Sequence, residues 1–353
     1  MGLDMLERIT MAHGAGGVIM QDFIKRHIVK RFGGSMAEVP LEALDDAAVI
    51  EGIVLKSDSH TVKPIFFPGG DIGRLAVAGT VNDIASMGAK PIALTCALII
   101  EEGLPISDLE RILESMKETC VEANVHILTG DTKVVERGAL DQIVINTSGI
   151  GRRSEFLDEN LQVVREYRKM EAMWLLDTNI SPGDKIIVSG TIGDHGIALL
   201  SSREGYDFET KLTSDVKPLN HLVEDLLKIG GIVKIKDPTR GGLANTLNEW
   251  SEKSRVGLKI EEGRIPIRDD VRAACEMLGI DPLETGNEGK LALAVVPEKA
   301  DEVLQELRRH EEGKEAEIVG EAVDEYEGVV LMTTVGGSRI LPPPAGDPIP
   351  RIC

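Results

Sequence analysis

Apolar and polar positions run along the chain in blocks whose periods name their elements. Residues 47–56 are an apolar run rich in Val and Ile, which predicts a strand closed by a polar turn at Ser57, Asp58 and Ser59. Ile72, Leu75, Val77, Val81, Ile84 and Met87 largely follow a 3.6-residue period. They predict a helix over 71–87, capped by Asp71 and ended by Gly88 and Pro91. A strand over 91–100 follows, then a helix to about Asn124 that opens on a capping box of Ser107 and Glu110. Its inward face is Leu109, Ile112, Leu113, Met116 and Cys120, and strands over 126–129 and 141–150 come next. Strand and helix alternate through this half, which implies an α/β or α+β layered domain.

Between Arg152 and Asn179 the character changes to a charged segment, DENLQVVREYRKMEAM from Asp158, read as a solvent-facing helix or an insertion. A second half restarts at Pro182-Gly183 with a strand over 184–189 and a helix from about His195. Helices over 215–228, 241–252 and 298–310 alternate with strands over 232–235, 257–260, 290–296 and 329–333. Five prolines among the last twelve residues exclude helix and inner strand, leaving an extended tail able to reach about 40 Å. The expected organisation is residues 1–152, a charged linker 153–180, a second α/β domain 181–336 and the tail 337–353.

Charge narrows the partners. With 39 Lys and Arg against 59 Asp and Glu, the formal net charge is −20, the wrong sign for non-specific binding to nucleic acid or an anionic membrane. No apolar run approaches the roughly 20 residues of a membrane span, and the N-terminus lacks the order of a leader peptide. A cytoplasmic protein is expected. Aromatics are 3%, too few for base-stacking platforms. Four cysteines without a C-x-x-C pair make no disulfide framework. Cys96, Cys120 and Cys275 sit in apolar stretches, whereas Cys353 is the last residue.

The chain has neither a P-loop nor a Rossmann glycine motif, and no zinc spacing. It does carry acids at element ends: Asp45 and Asp46, Asp58, Asn82 with Asp83, Asp131 and Asp237. Glycine turns accompany them, namely HGAGG from His13, PGG from Pro68, TGDTK from Thr129, TSGIG from Thr147, SGTIGDHG from Ser189 and TRGGL from Thr239. Hard oxygen ligands suit Mg²⁺, and glycine turns let backbone N–H groups approach an anion. Together they suggest a polyphosphate-plus-metal site.

These motifs, with DDAAV at 45, FFPGGDIGRLAVAGTVNDIASMGAKP at 66, LTGDTKVV at 128, KDPTRGGLANTLNE at 236, NEGK at 287 and the terminal PRIC, carry a resemblance over nearly the whole chain. The sequence resembles the HypE family of hydrogenase maturation factors. That family belongs to the superfamily of aminoimidazole ribonucleotide synthetase and selenophosphate synthetase. The resemblance implies a two-domain fold of mixed sheets with packed helices, a homodimer, and ATP with Mg²⁺ in a cleft of the N-terminal sheets. It further implies that the substrate is the protein's own Cys353, S-carbamoylated by the carbamoyltransferase HypF. ATP-dependent dehydration to a thiocyanate would then supply cyanide, through a HypC–HypD complex, for the iron of [NiFe]-hydrogenase.

On that resemblance Asp46, Asp83, Asp131, Asp58 and Asp237 are the expected metal ligands. Gly14, Gly16, Gly17, Asp45, Asn82, Thr132, Gly149 and Asn287 are expected at the nucleotide. Glu288 is the expected base, Lys133 the group orienting the carboxamide, and Cys353 the carrier of it. His13 and His195 are read as loop hydrogen-bonders. Two features depart from the family: the long charged segment 153–176, and Thr285-Gly286 where an Ala is usual. The alternatives are a non-enzymatic carrier using Cys353, or another ATP-dependent enzyme of the superfamily. Selenophosphate synthetase would need a reactive Cys or selenocysteine in the N-terminal glycine loop, and HGAGG has none.

Overall fold

The apolar run 47–56 is two strands. A computed structural model describes residues 8–203, 211–346 and 348–353. In it Ala48–Ile50 and Ile53–His60 pair antiparallel, joined by Glu51 (φ 51°) and Gly52 (φ 72°). A two-residue loop with positive φ at both positions matches the twist of the strands it joins. The polar stretch Ser57–Ser59 is not a turn. It continues the strand, with Asp58 opposite Thr147 of the Ile143–Arg153 strand. Alternation explains the polarity: Val54, Lys56, Asp58 and His60 share the inner face while Leu55, Ser57 and Ser59 face out.

Asp71 caps the Ile72–Ser86 helix as expected, accepting the N–H groups of Gly73 (2.7 Å) and Arg74 (3.0 Å). The next helix, Ile106–Ala123, starts one residue before Ser107, with Pro105 at its N-cap and no side-chain cap, so the Ser107–Glu110 box does not form. Asn124 ends it with φ 54°. The strand expected over 126–129 runs on through the polar TGDTK to Val135, because those side chains stay in the open rather than turning. It lies parallel to Ala89–Glu101, with the Ile106–Ala123 helix as the crossover that a parallel pair requires.

The first sheet runs in the order Ala48–Ile50, Ile53–His60, Ile143–Arg153, Ala89–Glu101, His126–Val135. The second runs Ser338–Ile340, Gly328–Met332, Gly257–Glu261, Glu317–Val323, Lys185–Val188, Ala292–Val295, Ile232–Lys236. Each holds one parallel pair among antiparallel neighbours, so both are mixed. The charged segment is an amphipathic helix, Glu155–Tyr167, whose Leu157, Leu161 and Val164 are buried against the rest of the protein, packing on the Asn220–Ile229 helix. It is therefore docked rather than wholly solvent-facing.

One apolar cluster joins Ile72, Leu75 and Val81 of the first half to Ile197, Leu199 and Val271 of the second, and to Ile349 and Ile352 of the tail. The expected free arm is thus tucked in. Proline removes ladder donors, but it leaves apolar side chains able to bury. Among the described residues no helix is long and apolar enough to cross a membrane.

Candidate active site in the interdomain cleft

A cleft of about 200 Å³ opens between the halves, and the period-two inner face of the Ile53–His60 strand supplies Lys56, Asp58 and His60 to it. Asp83 enters from the Ile72–Ser86 helix, and Lys236 with Asp237 from the end of the Ile232–Lys236 strand. Glu288, Arg240 and Cys353 complete the wall.

Two groups of carboxylates meet here with different counter-charge. Asp45, Asp46 and Asp177 surround the fully buried Lys234, whose Nζ lies 2.9, 2.7 and 3.3 Å from them. Lys236 and Lys253 add contacts of 3.1 Å to Asp46 and 2.7 Å to Asp177. Burial pushes the Asp46 carboxyl up, but Lys234 and Lys236 outweigh it and hold it below its ordinary value. Asp177 is held down in the same way. Ammonium groups thus hold Asp46 and Asp177 ionised, while burial outweighs Lys234 at Asp45 and pushes its carboxyl up.

The second group, Asp46, Asp83 and Asp237, has carboxylate oxygens all within 4.8 Å of one another. Burial, reinforced by the Asp46 charge, pushes Asp237 up to about 6. Burial also drives Asp83 well above its ordinary value, despite Lys56 at 2.6 Å. Three crowded, buried, hard oxygen donors, two of them with raised pKa values, are the chemical complement of a dication such as Mg²⁺. Asp58 stands beside this group rather than in it. Lys56 (3.2 Å) and the Thr80 hydroxyl (3.2 Å) hold it ionised against the cost of its burial.

Glu288 is 2% exposed, and its Oε1 has no hydrogen-bond partner among the described residues. Burial first, then Asp237, Asp215 and Asp58, drives its carboxyl well above the usual range. Arg240 donates to the Gly14 carbonyl (2.9 Å), and the negative charge at Cys353 holds its guanidinium more firmly protonated. The tail reaches this wall along a row of hydrogen bonds. The Thr61 N–H donates to the Cys353 carbonyl (3.1 Å), the Lys63 N–H to the Arg351 carbonyl (3.2 Å), and Arg351 pairs with Asp141 (2.6 Å). His195 is buried within the first turn of the Asp194–Ser201 helix, bonding Ser214 Oγ (2.7 Å) and the Ile352 carbonyl (2.9 Å). It is a tail clamp. His13 bonds Thr10, but from a short 3-10 helix, Met11–Gly14, rather than from a loop.

Gly16 (φ 78°) and Gly17 (φ 71°) open the Gly17–Ile24 helix and line the cleft; a Cβ on Gly17 would collide with the Pro344 carbonyl. Other expected nucleotide residues are spent on the fold. The Asn82 amide donates to the Lys217 carbonyl (3.1 Å) and accepts the Leu219 N–H (2.7 Å). Asn287 likewise bridges Pro238, Thr285 and Gly193. Gly149 permits close packing of its strand on Ile84 and Thr80. Asp131, Thr132 and Lys133 are exposed on the edge strand, where Lys133 pairs with Asp131 at 3.2 Å, and do not line this chain's cleft.

Sequence reasoning missed Lys56, His60, Asp177 and Arg240. For Lys56 and His60 the signal was there: in K-S-D-S-H each large polar side chain alternates with a serine. Arg240 stood inside a motif read only for its glycines.

Residues 44–153 match the AIR synthase related protein N-terminal domain, and 181–332 match the C-terminal domain of the same family. Fold and cleft thus define an AIR synthase related protein. A carbamoyl dehydratase HypE of Rhizobium leguminosarum is 45% identical over 353 residues, 98% of this chain and 95% of its own. A crystal structure of a HypE–HypF complex superposes with a TM-score of 0.82 at 46% identity, covering 91% of this chain and 99% of that one. A crystal structure of HypE in complex with ATP gives 0.78 at 40% identity, covering 98% and 100%. The chain belongs to the HypE family, whose relatives carry the name carbamoyl dehydratase, and is an enzyme of hydrogenase maturation.

Proposed function

We propose that the protein uses ATP to dehydrate an S-carboxamide on its own Cys353 to a thiocyanate. The observation that carries this is the seating of Cys353 in the acid-lined cleft, beside Glu288 and Arg240. An amide oxygen is a poor leaving group at neutral pH, and phosphorylation makes it a good one. The carboxamide oxygen attacks the γ-phosphorus: an O–P bond forms, the bond to ADP breaks and one N–H proton leaves. The C–O bond then breaks with its electron pair passing to phosphate, the second N–H proton leaves, and C≡N forms.

Each demand has a residue. Glu288, with its raised pKa and orphaned oxygen, is the base for an N–H proton. Arg240 meets the charge that builds on the oxygen. Gly16 and Gly17 line the cleft at the start of the Gly17–Ile24 helix, whose positive end would favour a phosphate once the Pro344 carbonyl moves off it. Asp46, Asp83 and Asp237 would hold Mg²⁺, which supplies charge neutralisation and alignment for phosphoryl transfer. The ATP complex of the relative supports the nucleotide.

A homodimer accounts for the residues the cleft lacks. The outer face of the first sheet leaves Ile53, Leu55, Ile99, Leu128 and Ile150 exposed, an apolar surface that calls for cover. Asp131 stands on that face in register with Ala97, Asn146 and Ser59, and Ser59 lines the cleft rim. Two copies packed through these faces would carry Asp131, Thr132 and Lys133 of each toward the cleft of the other. The relative's HypE–HypF complex supports HypF as the loader of Cys353, after which the tail must swing out to deliver cyanide to HypC–HypD.

Phosphate release tests the reading. After incubation with HypF, carbamoyl phosphate and ATP, the full chain should release one further phosphate per carbamoylated Cys353, and Cys353→Ser none above background. Equal release from both would refute Cys353 as the substrate.

A further inference from the structure

His60 is 5% exposed, and neither of its ring nitrogens has a hydrogen-bond partner among the described residues. A buried imidazole almost always satisfies at least one nitrogen, so this arrangement needs an explanation. The ring is closely packed. It lies over Gly79, where even a single added carbon would stand 3.2 Å from Cε1, and it shares the inner strand face with Asp58 and Lys56. It lines the same cleft as Cys353 and Glu288. The next residue, Thr61, grips the Cys353 carbonyl through its N–H at 3.1 Å, so the strand that carries His60 also fixes the residue that carries the thiol.

We propose that His60 is the hydrogen-bonding contact for the nitrogen of the S-carboxamide on Cys353. This rests on the functional reading above and adds a residue to it. The carboxamide nitrogen carries two N–H donors and must shed both, whereas Glu288 meets only one at a time. A neutral imidazole offers one acceptor and one donor. Its acceptor nitrogen takes the second N–H and holds the nitrogen in place while the oxygen is phosphorylated. The thiocyanate nitrogen has no N–H, so the contact vanishes when the reaction is complete. His60 therefore retains the tail that still carries substrate and loosens its hold on the tail that carries product.

The test loads full-length protein with carbamoyl phosphate and HypF, adds ATP, and follows water loss from Cys353 by intact mass in a single turnover. His60→Phe and His60→Leu remove the acceptor and keep the bulk, each serving if the other fails to fold; His60→Gln restores an acceptor. Both apolar variants should bind ATP as the wild type does and lose water about 10- to 100-fold more slowly, the value of one lost hydrogen bond, with His60→Gln recovering most of the rate. Amide exchange at Thr61 should be slower in the carbamoylated than in the cyanated wild type, and alike in the two forms of His60→Phe. Wild-type rates in either apolar variant, or equal Thr61 exchange in the two wild-type forms, overturn the contact while leaving the functional reading intact. A wild-type chain that never loses water overturns both.

Discussion

The two groups of buried aspartates sit side by side and share Asp46, yet they differ in what surrounds them. Around Lys234 the carboxylates meet three ammonium groups, and Asp46 and Asp177 are held below their ordinary values. Around Asp237 the second group shares the lysines that already hold Asp46 and adds only Lys56, on Asp83, so Asp83 and Asp237 are pushed up. The first group is a finished structural knot that ties Asp45 and Asp46 of one half to Lys234 and Lys253 of the other through Asp177 of the linker. The second is electrostatically incomplete, and the deficit is what a cation would fill. Residue type alone does not separate structure from chemistry; the count of local counter-charges does.

Breaking the finished knot should have the largest effect. Lys234→Met leaves three buried carboxylates short of a partner and should cost about 3–5 kcal/mol, read by urea unfolding. A loss under 1 kcal/mol would mean that the knot is not what holds these segments together. Glu288→Gln should act on chemistry alone, leaving ATP affinity within about threefold and slowing dehydration about 100- to 1,000-fold in single turnover. Loss of nucleotide binding instead would make Glu288 a support of the fold.

The smallest effect concerns the incomplete group and pH. In the metal-free fold Asp237 holds its proton to about 6, against 3.8 ordinarily. Its contribution to stability is therefore full below about 4 and lost as pH rises through about 6. A metal must displace that proton, so Mg²⁺ affinity should climb by up to about tenfold per pH unit and level off above about pH 6. Calorimetry in buffers of different ionisation enthalpy would read the released proton. Asp237→Asn should reduce this pH dependence to the part that Asp83 contributes, while changing metal-free stability by no more than about 1 kcal/mol.

Much of this was open to sequence reasoning because apolar periodicity survives into the fold. Asp71 caps its helix, and the parallel strand pair is joined by the helix expected between them. Where polar residues border the cleft, the same reasoning fails. Ser57–Ser59 looked like a turn because a strand whose inner face ends in a polar site lacks apolar alternation. The tail looked free because proline governs backbone pairing and says nothing of where Ile349 and Ile352 bury. Asp46, Asp83 and Asp237 stood among the acids singled out with the element ends, whereas Glu288 was reached only through the NEGK motif of the family resemblance. Asn82 and Asn287 looked alike in sequence, but their amides are committed to backbone partners that only the fold supplies.

The central claim is that this cleft works on the chain's own C-terminus. Intact mass spectrometry of the carbamoylated protein tests it most directly. With ATP, the adduct on Cys353 should lose the mass of one water, and with a non-hydrolysable analogue it should not. An adduct that ATP leaves unchanged would reduce Cys353 to a carrier and contradict the account.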